Sequence, residues 1–192
     1  MKVPLRYQIT NYDCASACLL NGLSCLLERE EIPPTALRYI VSVCMDRFGE
    51  SGEMGRRGTA HAAMRFLSDW LDRCGQDAVM PVRSRYLTGE AVSLAPGSDL
   101  RAAICSGAVA AARIDLDGWH YILLTGVREA EVLCFDPWIL PEPFPVPDVK
   151  TLLDPALNYN RVVPLARFES TDIHPYSFGP YDTREAVVLR RR

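Results

Sequence analysis

Three residues in this chain have the types and placement to form a thiol nucleophile with its base and orienting acid: Cys14, His120 and Asp136. Cys14 opens an apolar run that reaches Leu27, with Asn21, Gly22 and Ser24 as small interruptions. A run that is apolar nearly all round predicts a helix buried on most faces. Asp13 is the expected N-cap, which puts Cys14 in the first turn. There the positive end of the helix dipole favours thiolate over thiol. His120 and Asp136 lie in a stretch of two predicted strands joined near Arg128 to Ala130. That turn sets His120 across from the neighbourhood of Asp136, within reach of direct or diagonal cross-strand contact. A carboxylate there would fix the imidazole tautomer and stabilise its charged form.

The plainer reading of each residue is structural. The chain has seven cysteines, at 14, 18, 25, 44, 74, 105 and 134, and cysteine is among the most buried residue types. A His–Asp pair is as often a structural contact as a chemical one. Only the convergence of all three sets Cys14 apart from the other thiols.

The elements that must position these groups are legible as patterns. Pro33-Pro34 opens a second helix carrying Leu37, Ile40, Val41, Cys44 and Met45, expected to end near Phe48-Gly49. Residues 49–58 carry a glycine at every third position and read as a flexible loop. Thr59 is the expected cap of a third helix striped by Ala63, Phe66, Leu67, Trp70, Leu71 and Cys74, with Gly75 as its stop. His61, in its first turn, reads as a solvated helix residue without a chemical partner. A strand over Val79 to Tyr86 and a short helix capped by Ser98 and ending at Gly107 follow. Strands are then expected at Ala108 to Ile114, Trp119 to Val127 and Glu131 to Phe135. Helices first and antiparallel strands later define an α+β fold.

With 192 residues, 48% of them hydrophobic, the chain suits a single globular domain, residues 1–192. A net charge of −3 without a basic stripe argues against nucleic-acid binding. The first residues, Met1 to Gln8, lack a signal peptide's apolar core, and no apolar run approaches a membrane span. A soluble, cytoplasmic protein with free thiols is therefore expected. A zinc site is not, because no second Cys/His pair stands at ligand spacing from Cys14 and Cys18.

Gln8 through Leu20, Gly118 through Gly126, and Val132 through Trp138 resemble, in order and with matching intervals, three blocks of the C39-type cysteine peptidases of the papain-like superfamily. The resemblance covers about residues 5–140. It implies a papain-like fold, with an N-terminal helical half packed on an antiparallel sheet half. It implies a cysteine peptidase acting on a peptide or amide substrate without metal or organic cofactor. Cys14 would be the nucleophile, His120 the general base and acid, and Asp136 its orienting group. Gln8 would join the Cys14 N–H as the oxyanion hole. An amide- or acyl-transferase using the same residues, and a non-catalytic binding module of the same fold, are the alternatives. Ala15 departs from the family, which commonly has glycine after the nucleophile, and no double-glycine specificity is carried over. Outside the resemblance, Pro141 to Pro147 should lie extended over the surface. Asn160 to Phe168 and Glu185 to Leu189 should add two strands, so that residues 141–192 complete the sheet. His174, before Pro175, has no expected role.

Overall fold

The computed structural model describes residues 4–140, 142–154, 156 and 158–192. The readings that touch Met1 to Val3 and Pro141 lie in part outside the described residues. The fold is α+β, a seven-stranded antiparallel sheet with helices on both faces. The strands are β1 (Val82–Thr88), β2 (Val109–Asp115), β3 (Trp119–Arg128), β4 (Glu131–Phe135), β5 (Lys150–Thr151), β6 (Arg161–Pro164) and β7 (Glu185–Arg191). Their order across the sheet is β1-β7-β2-β3-β4-β6-β5. The helices are α1 (Cys14–Leu26), α2 (Pro34–Val43), α3 (His61–Gln76), α4 (Asp99–Cys105) and α5 (Leu165–Glu169). Among the described residues no helix is long and apolar enough to cross a membrane.

The alternation of strand side chains builds two cores. On one face Val109, Ala111, Tyr121, Leu123, Val187 and Leu189 pack against Leu19 and Leu23 of α1, Ile40 of α2 and Leu67 of α3. On the other, Ala110, Ala112, Ile122, Leu124, Val188 and Cys134 meet Leu100 and Ile104 of α4 together with Phe168, Tyr176 and Phe178. Helix α1 lies across β2, β3 and β7, and the alanines of β2 let it sit close. Asn21, buried in α1, accepts from the Arg6 N–H and donates to the Arg6 carbonyl, at 2.9 and 2.8 Å. That exchange fixes the segment leading to Gln8.

Several boundaries differ from the sequence pattern, each for a local reason. Helix α2 stops at Val43, because Cys44 is extended and Met45 turns to a φ of 58°. Thr59 is not the cap of α3: its Oγ1 accepts from the Met45 N–H, while Asp46 accepts from the Ala60 N–H, so the two segments cap each other. Residues 47–58 are tied by backbone hydrogen bonds from Gly49 to Glu53 and from Gly55 to Arg47. The first strand begins at Val82 rather than Val79. Of the span 160–168, only Arg161–Pro164 is a strand, and α5 follows it. Strand β7 does more than extend the sheet; it is inserted between β1 and β2. Residues 142–147 form neither helix nor strand, and Phe144 and Val146 are half-buried against the second core.

Gly75 does not stop α3, which runs on to Gln76; it allows the helix to meet β1. A Cβ there would stand 1.7 Å from the Val82 carbonyl oxygen, a backbone atom that cannot swing away. At Gly22 a Cβ would stand 2.8 Å from Leu189 Cδ1, the mobile end of a side chain. Gly75→Ala should therefore destabilise the protein by about 3 kcal/mol, the upper end of overpacking costs. Gly22→Ala should cost clearly less, since it gains up to ~1 kcal/mol of helix propensity. Urea denaturation of the two variants checks the order, and equal losses would contradict the packing account.

Candidate active site

Cys14 is the first residue of α1 and His120 the second of β3, so the start of the buried helix and the start of a central strand meet at one end of the sheet. The strands that carry His120 and Asp136 pair Leu123 with Phe135 and Leu124 with Cys134 before a bulge at Leu124/Gly126. Continuing that register makes His120 and Asp136 diagonal neighbours on one face of the sheet. His120 Nε2 lies 2.8 Å from Asp136 Oδ1. That leaves Nδ1 as the nitrogen available to Cys14, whose sulfur acts on the imidazole as a hydrogen-bond partner and through its charge. Cys14 is 7% exposed, His120 8% and Asp136 1%.

The electrostatics follow from this burial. Loss of water opposes the charged form of His120, but the charge and hydrogen bond of Asp136, and then Cys14, outweigh it and push the imidazole up to about 10. Burial likewise opposes the Asp136 carboxylate. The charge and hydrogen bond of His120, the Trp138 N–H at 2.9 Å and the Tyr176 hydroxyl at 2.8 Å nevertheless hold it below the usual carboxylate range. Burial and the neighbouring carboxylate push the Tyr176 hydroxyl upward, so it remains a donor. The backbone of Asp136 is clamped as well: its N–H donates to Asn160 Oδ1 at 2.7 Å, and Asn160 Nδ2 donates back to its carbonyl at 2.8 Å.

Of the four residues singled out in the sequence, the structure brings Cys14, His120 and Asp136 into one chain of contacts. Gln8 is docked beside them, its backbone N–H donating to the Pro137 carbonyl at 3.0 Å. One N–H of its side-chain amide donates to the Thr10 carbonyl at 2.6 Å, the second is uncommitted among the described residues, and Oε1 is buried without a partner there. Asp13 does not cap α1 through its side chain. Its carboxylate folds back to accept from the N–H groups of Ile9 and Thr10, at 2.9 and 2.6 Å, so it shapes the loop between Gln8 and Cys14. Ala15 is fully buried among the core residues, which places its methyl in the core.

Two features escape the sequence reading. Tyr176 and Asn160, the groups that fix Asp136, lie in the C-terminal segment, and a lone Tyr or Asn carries no pattern that would single it out. His61 is exposed, as expected, but it is not without partners. Its Nδ1 lies 2.9 Å from buried Glu185 and its Nε2 2.8 Å from Arg113 Nη1, while the hydroxyls of Tyr86 and Tyr121 also donate to Glu185. No protein-family model matches this chain, and no curated protein matches it significantly.

Between ~6.5 and about 10 the folded chain holds a proton on His120 that the unfolded chain releases. The stabilisation from this residue is thus complete below pH ~6.5 and fades as pH rises to about 10. Asp136 contributes above its unfolded value of ~3.9 and loses that contribution as pH falls through its lower folded value. Imidazole resonances of histidine-labelled protein should show His120 charged throughout neutral pH. Asp136→Asn removes the two largest causes that raise the imidazole, leaving burial opposed by Cys14 only, and the resonance should titrate at lower pH than in the unaltered chain. Tyr176→Phe removes a donor from the buried carboxylate and should cost about 2 kcal/mol. It should also shift the acid-side loss of stability to higher pH, and an unchanged acid limb would contradict the role given to Tyr176.

Proposed function

We propose that this chain is a cysteine peptidase of papain-like fold, similar to the C39 type, that hydrolyses a peptide or related amide through Cys14. The observation that carries the proposal is that His120 holds a buried carboxylate at Nε2 and lies close enough to the helix-start thiol of Cys14 for the sulfur to raise its proton affinity. The antiparallel sheet with α1 buried against one face agrees with the fold that the sequence resemblance implies.

The steps follow from these groups. With His120 already protonated, Cys14 attacks as the thiolate of an ion pair: the sulfur bonds to the carbonyl carbon and the carbonyl oxygen takes the negative charge. The Cys14 N–H, a first-turn donor without an intrahelical acceptor, and the second N–H of Gln8 supply the oxyanion donors. As the C–N bond breaks, His120 gives its proton to the leaving amine. Water then attacks the thioester, His120 takes the proton that the water loses, and the sulfur departs as the thiolate. Asp136 stays ionised throughout and keeps Nε2 occupied, so that Nδ1 alone does the transfer.

Incubation of the protein with a peptide library, read by mass spectrometry, should show cleaved bonds and an acyl adduct on Cys14. Cys14→Ala should abolish turnover, and full turnover by that variant refutes the proposal. Gln8→Ala should retain the fold and lose about 10²- to 10³-fold in rate, the cost of one oxyanion donor. A Cys14 that alkylates no faster than an ordinary thiol, with no acid-side shift in its pH profile, would point to a binding module.

A further inference from the structure

Beside His120 a groove of about 690 Å³ opens between the β2–β3 turn and the segment that follows Asp136. Leu116, Trp119, Trp138, Phe144 and Val146 line it together with His120. Cys14 is not part of its lining among the described residues. We infer that this groove receives the leaving-amine side of the substrate, an extended peptide segment with an aromatic or aliphatic residue directly after the scissile bond and no acidic residue there. The inference rests on the acyl-transfer reading of Cys14 and His120.

The direction of the substrate follows from the chemistry. The acyl half remains on the Cys14 sulfur, while the departing nitrogen must lie where His120 can hand it a proton. A groove that contains the imidazole and not the sulfur is therefore on the amine side. The side-chain preference follows from the walls. Two indoles are left 41% and 37% exposed, at Trp119 and Trp138, and an apolar partner removes that surface from water. Asp117 also lines the groove, held by a turn at a φ of 56°, and its carboxylate repels an acidic segment. The walls are set before any ligand arrives. Trp119 stacks on the Arg113 guanidinium, 4.2 Å from ring centre to Cζ, and Phe144 meets Tyr176 edge-on at 5.3 Å. Tyr176 thereby joins the groove wall to the carboxylate that orients His120.

Amine capture by the acyl-enzyme tests this. A small aryl ester should acylate Cys14 with a burst of nitrophenol that does not involve the groove. Added amino-acid amides then compete with water: the amine nitrogen bonds to the carbonyl carbon, the C–S bond breaks with the sulfur departing as the thiolate, and His120 takes the surplus proton. Phenylalaninamide and leucinamide should be captured roughly tenfold or more in preference to glycinamide, and glutamic acid α-amide should fall below glycinamide. Leu116→Asp and, separately, Val146→Asp should keep the burst and lose the preference. A normal burst with no preference among the amides, or an undiminished preference in whichever variant keeps its burst, overturns the groove assignment and leaves the catalytic reading intact. No burst from the unaltered chain overturns the catalytic reading and this inference with it.

Discussion

The structure at this end of the sheet is organised around one buried charge. The Asp136 carboxylate is 1% exposed, and removing an ion from water costs several kcal/mol unless partners replace the lost hydration. Here the replacement is complete and comes from distant parts of the chain: an imidazole from β3, a backbone N–H two residues on, and a phenol forty residues on. Each donor constrains its own element. Strand β3 must start where His120 reaches Asp136, and the segment after β6 must return to place Tyr176, which accepts a φ of 68° to do so. Satisfying the carboxylate thus holds Tyr176 and the C-terminal segment against Cys14, His120 and Asp136, which lie within the first three quarters of the chain.

Approach of α1 to the sheet is the second constraint. A thiol at a helix start meets an imidazole at a strand start only if the helix lies low over the strands, and small residues at the contact permit this. Ala111 on β2 and Gly22 on α1 occupy it, the latter with Leu189 of β7 directly above. The core packing and the placement of Cys14 are therefore one problem.

How much of this the sequence discloses depends on the range of the interaction. Period and punctuation are local, so α1, the β2–β3–β4 meander and the Ser98 cap of α4 are readable from the chain, as is the His120–Asp136 pairing, which needs only a short turn to be located. Boundaries set by exchange between remote segments are not. Thr59 looks like a cap, yet Met45 claims its hydroxyl. Asp13 looks like a cap, yet the N–H groups of Ile9 and Thr10 claim its carboxylate. The insertion of β7 between β1 and β2 is a long-range pairing that strand propensity cannot specify, since Glu185 to Leu189 has the same alternation wherever it pairs. Tyr176 and Asn160 are silent for the same reason. Their significance lies wholly in what stands opposite them.

The chain holds a second histidine–carboxylate pair, and the contrast with the first shows what makes such a pair chemical. His61 and Glu185 are as close as His120 and Asp136, at 2.9 against 2.8 Å. A guanidinium can only donate, so Arg113 obliges His61 Nε2 to accept, and Nδ1 must then be the N–H that Glu185 binds. Both nitrogens of His61 are occupied, and the ring joins α3 to β2 and β7 with no lone pair left for a reacting proton. His120 has a carboxylate partner at Nε2 in the same way, but the further group that acts on its ring is the Cys14 sulfur rather than a guanidinium. The distance between imidazole and carboxylate is therefore a poor guide to function. What separates a structural brace from a candidate base is the identity of the further group that acts on the ring, and in this fold that group is decided by where α1 begins.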